Sequence, residues 1–296
     1  MGTDVAVLGL GLMGGTIAGH LLDVGHRVLG YDPDPDRRSE LAARGGESFA
    51  SVGEAVAEAD RVVLSLPNSV VMLEVCEEII AAEPGRVLVI DTTTGAPADS
   101  ITAASLLADA GHAYVDATVS GNAAQAARKD VIFMVGGDDH DVEVATALLE
   151  PLGRRVYAVG PLGAGSTAKL VVNHVLSINR AAVAEGLAVA EKAELDLTSM
   201  FEVLRDSAAY SKAMDIWGQR MVDGDHYPPA SRVRQSLKDS RLINGHAESI
   251  GASHALVEVV RDALVEAEST GLADADNSSV MELMRRRAGI GRIPPS

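Results

Sequence analysis

The stretch Asp4-Val-Ala-Val-Leu8-Gly9-Leu10-Gly11-Leu12-Met13-Gly14 decides how the first half of the chain is read. Its first five residues are a short apolar run of the kind that forms a buried strand. Glycines at 9, 11 and 14 follow at once, and Thr16 to Val24 has helical periodicity. A G-x-G-x-x-G triplet alone says little, but strand, glycine turn and helix in immediate succession mark a dinucleotide site. Gly9 permits the tight turn, Gly11 lets the backbone approach a pyrophosphate, and Gly14 lets helix and strand pack closely. Leu10, Leu12 and Met13 belong to the same loop and helix start, where N–H groups and the helix dipole face the phosphates.

Outward from that stretch, Arg27-Val-Leu-Gly-Tyr31 reads as a second strand and ends in Asp32. An aspartate at this distance from the glycines is placed to accept from both ribose hydroxyls and to repel a 2′-phosphate. A turn residue before Pro33 is the plainer reading of the same side chain. Arg37 and Arg38 could reach an adenosine phosphate and keep NADP open, but Asp32 is the better placed, so NAD is the expected cofactor.

The alternation continues through strands at 61–66, 86–90, 113–117, 131–135 and 155–159, with helices between them. Strands alternating with helices predict a Rossmann-type, doubly wound parallel sheet. Ligands of such sheets bind beyond the carboxyl ends of the strands, where Leu66, Pro67, Asn68 and Thr94 fall. Asn68 and Thr94 equally suit helix caps. Strand patterns end at Gly160-Pro-Leu-Gly163, and only helical segments follow, near 164–193, 198–208, 231–249, 253–269 and 276–287. The expected organisation is a dinucleotide-binding domain over 1–162 and an all-α domain over 163–296, built around a long central helix.

That helix begins at Gly163-Ala-Gly-Ser-Thr-Ala-Lys169-Leu-Val-Val-Asn173, and its apolar residues spread around more than one face. Such a helix is expected to be buried on most sides. Lys169, Asn173, Arg180, Glu185 and Glu191 break up any membrane-spanning window. Lys169 and Asn173 lie four apart and share a face, so both can enter one cleft. A snorkelling lysine and a satisfied amide are the bland alternative.

Composition narrows the classes. A formal charge of −17 argues against nucleic acid or an anionic membrane as partner. The single cysteine, Cys76, excludes an internal disulfide and suits the reducing cytoplasm. No basic-then-apolar leader precedes the first strand, and nothing in the sequence calls for a metal. With 3% aromatic residues, the core must come from Ala, Val, Leu and Ile. The Ala-rich helical half suits a homodimer or homotetramer.

Four segments agree in order and spacing: the glycine loop, Asp116-Ala-Thr-Val-Ser-Gly-Asn122 with Phe133-Met-Val-Gly-Gly137, Gly163 to Asn173, and Leu237-Lys238-Asp239. Together they resemble the β-hydroxyacid dehydrogenase family, which includes 3-hydroxyisobutyrate dehydrogenase and tartronate semialdehyde reductase and is related to 6-phosphogluconate dehydrogenase. The resemblance implies hydride transfer between a nicotinamide cofactor and a small 3-hydroxy acid or its semialdehyde. It implies that Lys169 is the catalytic lysine and Asn173 its companion. Ser120 and the Gly121 backbone would meet the substrate carboxylate, with Asn122 beside them. Lys238 would close over the nicotinamide side, and Thr94, Leu66 and Pro67 would contact the cofactor. Two positions depart from the family pattern, Thr118 where proline is usual and Asn122 where a second glycine is usual, and both bear on substrate choice. The alternatives are an imine or ketone reductase on the same scaffold, whose members usually carry Asp or Tyr at position 169, and a non-catalytic cofactor-binding module. Arg234, Lys238 and Arg241 fall on one helical face, and the two arginines read as a solvated basic surface.

Overall fold

The computed structural model describes residues 2–290. The chain forms two compact units, Met1–Lys169 and Leu170–Ser296. In the first, the elements run β1 Asp4–Leu8, α1 Leu12–Asp23, β2 Arg27–Tyr31, α2 Pro35–Ala43, β3 Glu47–Ser48, α3 Val52–Val56, β4 Arg61–Leu64, α4 Ser69–Ala81 and β5 Leu88–Asp91. They continue with α5 Pro97–Asp109, β6 Ala113–Ser120, α6 Ala123–Ala127, β7 Ile132–Gly136, α7 Asp139–Leu149 and β8 Arg155–Gly160.

The strands make one sheet in the order β3-β2-β1-β4-β5-β6-β7-β8. Successive side chains of a strand point to opposite faces, and this sheet is covered on both. Val5, Val7, Val63, Ile90 and Val115 pack with Ile17 and Leu21 of α1. Ala6, Leu8, Val62, Leu64 and Val89 pack with Met72, Cys76 and Ile79 of α4 and Leu107 of α5. Burial pushes the Cys76 thiol up to about 12, so the side chain serves as a small apolar filler.

One feature of the sheet differs from the parallel arrangement that the alternation predicts. β7 runs antiparallel to β6, and β8 is parallel to β7. The link between β6 and β7 spans residues 121–131 and holds only the five-residue α6. A parallel crossover takes a dozen or more residues, usually with a full helix, so the chain turns back instead. The periodicity was also silent on α2, β3 and α3, elements too short to show a period. Their helices are set by local caps, with Asp34 accepting from Asp36 N and Ser51 from Glu54 N.

α8 spans Ala164–Lys192, and the division between units falls within it, after Lys169. The sequence signals put the boundary at the turn before the helix. The first turn and a half stays with the sheet because Asp116 of β6 holds it, as described below.

The second unit continues with α9 Leu197–Asp206, α10 Gln219–Asp223, α11 Val233–Ser249, α12 Ala255–Ala267 and α13 Val280–Arg287. A π-helical turn, Met214–Gly218, leads into α10. Neither that turn nor α10 has the length to show in the sequence pattern. Val183, Ala184, Leu187 and Ala188 of α8 pack with Phe201, Trp217, Leu237, Val260, Leu264 and Met281. α8 is not buried all round, contrary to the reading of its apolar residues. Val171, Val175 and Val189 are 57%, 52% and 64% exposed, because the helices of the unit pack along one side of it. α13 is tied back to α8 by Arg285, whose Nε donates to Glu191 at 2.7 Å and whose Nη1 donates to Glu282 at 2.7 Å. His226 and Arg285 together hold the Glu282 carboxyl down to about 2. The run Arg285-Arg-Arg-Ala-Gly-Ile-Gly-Arg-Ile-Pro-Pro-Ser296 reads from sequence as a fraying tail, and its residues 291–296 lie outside the described residues. No helix among the described residues is long and apolar enough to cross a membrane.

Candidate active site

In the sheet register, Leu8 stands beside Tyr31 and Leu64, Leu64 beside Asp91, and Asp91 beside Asp116. β2, β1, β4 and β5 therefore end level, while β6 runs on past Asp116 to Ser120. The glycine turn sits at the crossover between β1 and β4. Gly9 has φ +90°, and a Cβ there would lie 2.4 Å from the Ser65 carbonyl oxygen. A Cβ at Gly14 would lie 1.9 Å from the Gly9 oxygen, so α1 can approach the turn only with glycine there. Around Gly11 there is open space, and Gly11 caps α1 without any side-chain acceptor. With no acid in the first turn either, this helix start suits an anion, and a pyrophosphate fits the arrangement. Leu12 is exposed beside it, and Met13 is half-buried.

Asp32 is bound into this turn. Its Oδ2 accepts the Leu10 amide at 2.7 Å, and its Oδ1 accepts the Asp34 amide at 2.9 Å. The nearby arginines are engaged: Arg37 pairs with Glu40 at 2.9 Å, and Arg38 Nη1 donates to the Asp32 carbonyl at 2.6 Å. A shallow concavity beside the turn is lined by Leu10, Gly11, Thr16, Arg37 and Arg44.

On the other side of the crossover, Asn68 caps α4 through the Val71 amide, as one reading of it expected. Thr94 is not the cap of α5, which starts from Ala96 without a side-chain acceptor. Thr93, which the sequence did not single out, takes the Leu66 amide on its hydroxyl at 3.2 Å and so fixes the Leu66–Pro67 loop. Asp91 is fully buried and receives the Tyr114 hydroxyl at 2.7 Å; burial raises its carboxyl to about 6.

Lys169 is set by strand β6. Its Nζ donates to the Val119 carbonyl at 2.6 Å, one residue before Ser120. Asp116, fully buried, accepts the Gly163 amide at 2.9 Å and the Ser166 amide at 2.6 Å, which pins the start of α8 to the strand. Burial raises the Asp116 carboxyl, and these two amides oppose the rise. Thr118 is also fully buried, and its hydroxyl donates to the Gly165 carbonyl at 2.7 Å. Ser166 meets Ser100 of α5 at 2.9 Å.

After Ser120, Gly121 takes φ +143°, with Val131 Cγ1 2.6 Å from where a Cβ would be. The Asn122 side chain turns onto its own helix: Oδ1 accepts the Gln125 amide at 2.9 Å and Gln125 Oε1 accepts the Asn122 amide at 3.0 Å, a capping box for α6. Of the two departures from the family pattern, the Thr118 hydroxyl is thus spent on the backbone and the Asn122 amide oxygen on a cap.

In the second unit, Asn173 Nδ2 donates to Asp239 Oδ2 at 3.1 Å, and Lys238 Nζ lies 3.4 Å from Asp239 Oδ1. Arg180 is buried two turns further along α8, with its guanidinium 4.9 Å over the Trp217 ring. Burial lowers Arg180 to about 10 against the opposing pull of Asp276 and Asp239. Arg234 pairs with Asp274 on the surface, and Arg241 is exposed, in keeping with a solvated face for those two. Asp239 and Arg180 were not singled out from sequence. Arg180 had a signal, a charge inside an otherwise apolar helical run; so had Asp116, an acid inside an apolar strand.

A glycine turn open to an anion at the crossover of a doubly wound sheet defines a dinucleotide-binding protein of the Rossmann class. Residues 4–160 match the model of the NAD binding domain of 6-phosphogluconate dehydrogenase. Residues 163–284 match that of the NAD-binding domain of NADP-dependent 3-hydroxyisobutyrate dehydrogenase. The 3-hydroxyisobutyrate dehydrogenase of Pseudomonas aeruginosa is 32% identical, over 96% of this chain and 99% of its own. The L-threonate dehydrogenase of Pectobacterium atrosepticum is 30% identical, over 94% of this chain and 93% of its own. A structure of Mycobacterium tuberculosis 3-hydroxyisobutyrate dehydrogenase with L-serine superposes with a TM-score of 0.89 at 32% identity, covering 96% of this chain and all of that one. The chain belongs to the β-hydroxyacid dehydrogenase family and is an oxidoreductase of hydroxy acids.

Proposed function

We propose that the chain oxidises a small 3-hydroxy acid to its semialdehyde, or runs the reverse, with NAD as the preferred cofactor and Lys169 as the acid–base group. The observation that carries this is the 2.6 Å bond from Lys169 Nζ to the carbonyl of Val119, the strand residue that precedes Ser120. When bound, the cofactor supplies the hydride acceptor or donor. Gly9 to Gly14 would hold its pyrophosphate, Asp32 its ribose, and Leu66, Pro67 and Thr94 would contact the rest of it. In the oxidation, Lys169 enters as the neutral amine and takes the hydroxyl proton; in the reverse direction the ammonium returns it. Ser120 and the Gly121 amide hold the substrate carboxylate. Asn173 and Lys238 are the companions that the family resemblance implies, and Asn122 follows the two residues assigned to the carboxylate. The relatives act, by name, on 3-hydroxyisobutyrate and L-threonate, both hydroxy acids. Lys169 speaks against the imine reductase reading, for which the resemblance implies Asp or Tyr there.

The test is turnover of a panel of hydroxy acids, including 3-hydroxyisobutyrate, L-threonate and L-serine, with each cofactor. NAD is expected to give the higher kcat/KM, since the fixed Asp32 carboxylate repels a 2′-phosphate and Arg37 and Arg38 are already engaged. Asp32→Ser should narrow that gap. NADP matching NAD in the unaltered protein would overturn the preference.

Substrates should also need their carboxylate. A neutral alcohol of equal size would leave the Ser120 and Gly121 donors unpaired, a loss of roughly 10²-fold or more in kcat/KM. A neutral primary alcohol as efficient as the best hydroxy acid would show that these donors serve something else.

A further inference from the structure

We infer that Thr118 is a positioning residue for Lys169, and that it makes the amine and Ser120 one rigid element. The inference rests on the acid–base role proposed for Lys169.

β6 meets α8 at successive points. Asp116 takes the amides of Gly163 and Ser166, ahead of and within the first turn. Val119 takes the Lys169 amine itself. Between them, Thr118 Oγ1 donates to the Gly165 carbonyl at 2.7 Å. In an α-helix that carbonyl also accepts the amide four residues on, which here is the amide of Lys169. One strand therefore holds Lys169 at both ends, its backbone through Thr118 and Gly165, its side-chain nitrogen through Val119. The next strand residue is Ser120. Thr118 is wholly inaccessible, so it acts on the reaction only through what it holds. A proline at this position has no hydroxyl and cannot make the bond, so the departure at Thr118 supplies a tie that the usual family residue lacks.

Geometry of this kind has kinetic consequences, because a misplacement of about 1 Å in a reacting group can cost roughly 10²-fold in rate. Thr118→Val keeps the β-branched shape and removes the hydroxyl. It strands no acceptor, since the Gly165 carbonyl keeps its helical amide. The variant should fold and bind NAD as the parent does. Its kcat should fall roughly ten- to a hundredfold with the fastest acid of the panel, while KM changes by less than about threefold. The solvent deuterium isotope effect on kcat should grow, as a loosened proton transfer becomes slower than the steps around it. Thr118→Ser should restore kcat to within a few-fold. If the valine variant fails to fold, Thr118→Ala removes the same hydroxyl with less volume to place and carries the same comparison. A folded hydroxyl-free variant with parental kcat and isotope effect would overturn the inference. Lys169→Met, run alongside, separates the two claims. If it is inactive while Thr118→Val is unimpaired, only the positioning role falls; if it is active, the reading of Lys169 falls and takes the inference with it.

Discussion

Lys169→Met is expected to lose roughly two to four orders of magnitude in turnover, the usual worth of a positioned acid–base group. Methionine keeps most of the stem volume and removes the charge and the transferable proton. The bond from Nζ to the Val119 carbonyl is lost as well, but Asp116 and Thr118 still hold the helix start, so the fold should persist. NAD binding should change little, because Gly9 to Gly14 and Asp32 lie on other loops of the sheet rim. A lysine that merely packs its stem would behave differently, with a lower melting temperature and a rate reduced only as far as folding is. NAD affinity, thermal unfolding and turnover measured on one preparation separate these outcomes. Near-normal turnover in a folded, NAD-binding Lys169→Met protein would end the acid–base assignment.

Gly165→Ala should injure both stability and rate. Its Cβ would stand 2.3 Å from the Asp116 carbonyl oxygen and 2.6 Å from that of Met134. Both are backbone atoms of the central sheet, so neither can swing aside as a flexible side chain would. Relief takes about 1 Å of separation between helix and strand, enough to cost roughly 10²-fold in kcat if Lys169 moves with the helix. Overpacking of this kind costs about 1–3 kcal/mol, occasionally more, and should show as a melting point several degrees lower. Gly186→Ala is the control on the same helix: a Cβ there meets nothing within 4 Å, and alanine is the better helix former. A Gly165→Ala protein indistinguishable from the Gly186→Ala one would show that the close approach is not needed.

Both predictions turn on contacts that sequence could only partly anticipate. The glycine loop was readable because each of its residues answers to a local requirement, and Asp32 was readable because its distance from the glycines is fixed by one βαβ unit. The helix face shared by Lys169 and Asn173 followed from spacing alone. Asn68 was read correctly as a possible cap, since a cap involves the next few residues only. Thr94 was not the cap, because the chain extends two residues further before α5 begins.

What escaped the sequence lies in pairings between distant residues. Thr118 looked like a question about substrate, and its hydroxyl instead meets Gly165, 47 residues away. Asn122 likewise looked like a pocket residue, and its amide oxygen closes a capping box with Gln125. The apolar circumference of α8 suggested burial on most sides, yet periodicity reports what a face is made of and says nothing of whether a neighbour arrives to cover it; Val171 and Val175 remain uncovered in the single chain. Local order thus settles the strand–turn–helix opening, the cofactor class and the longer strands and helices, because hydrophobic period and turn chemistry act over a few residues. Only the tertiary structure decides that β7 and β8 turn back, that Asp116 and Thr118 hold the start of α8, that Asp239 receives the Asn173 amide, and that Arg180 lies over Trp217. Each of these depends on which strand or helix packs beside which, and that is fixed by the burial of the whole core, which no local window contains.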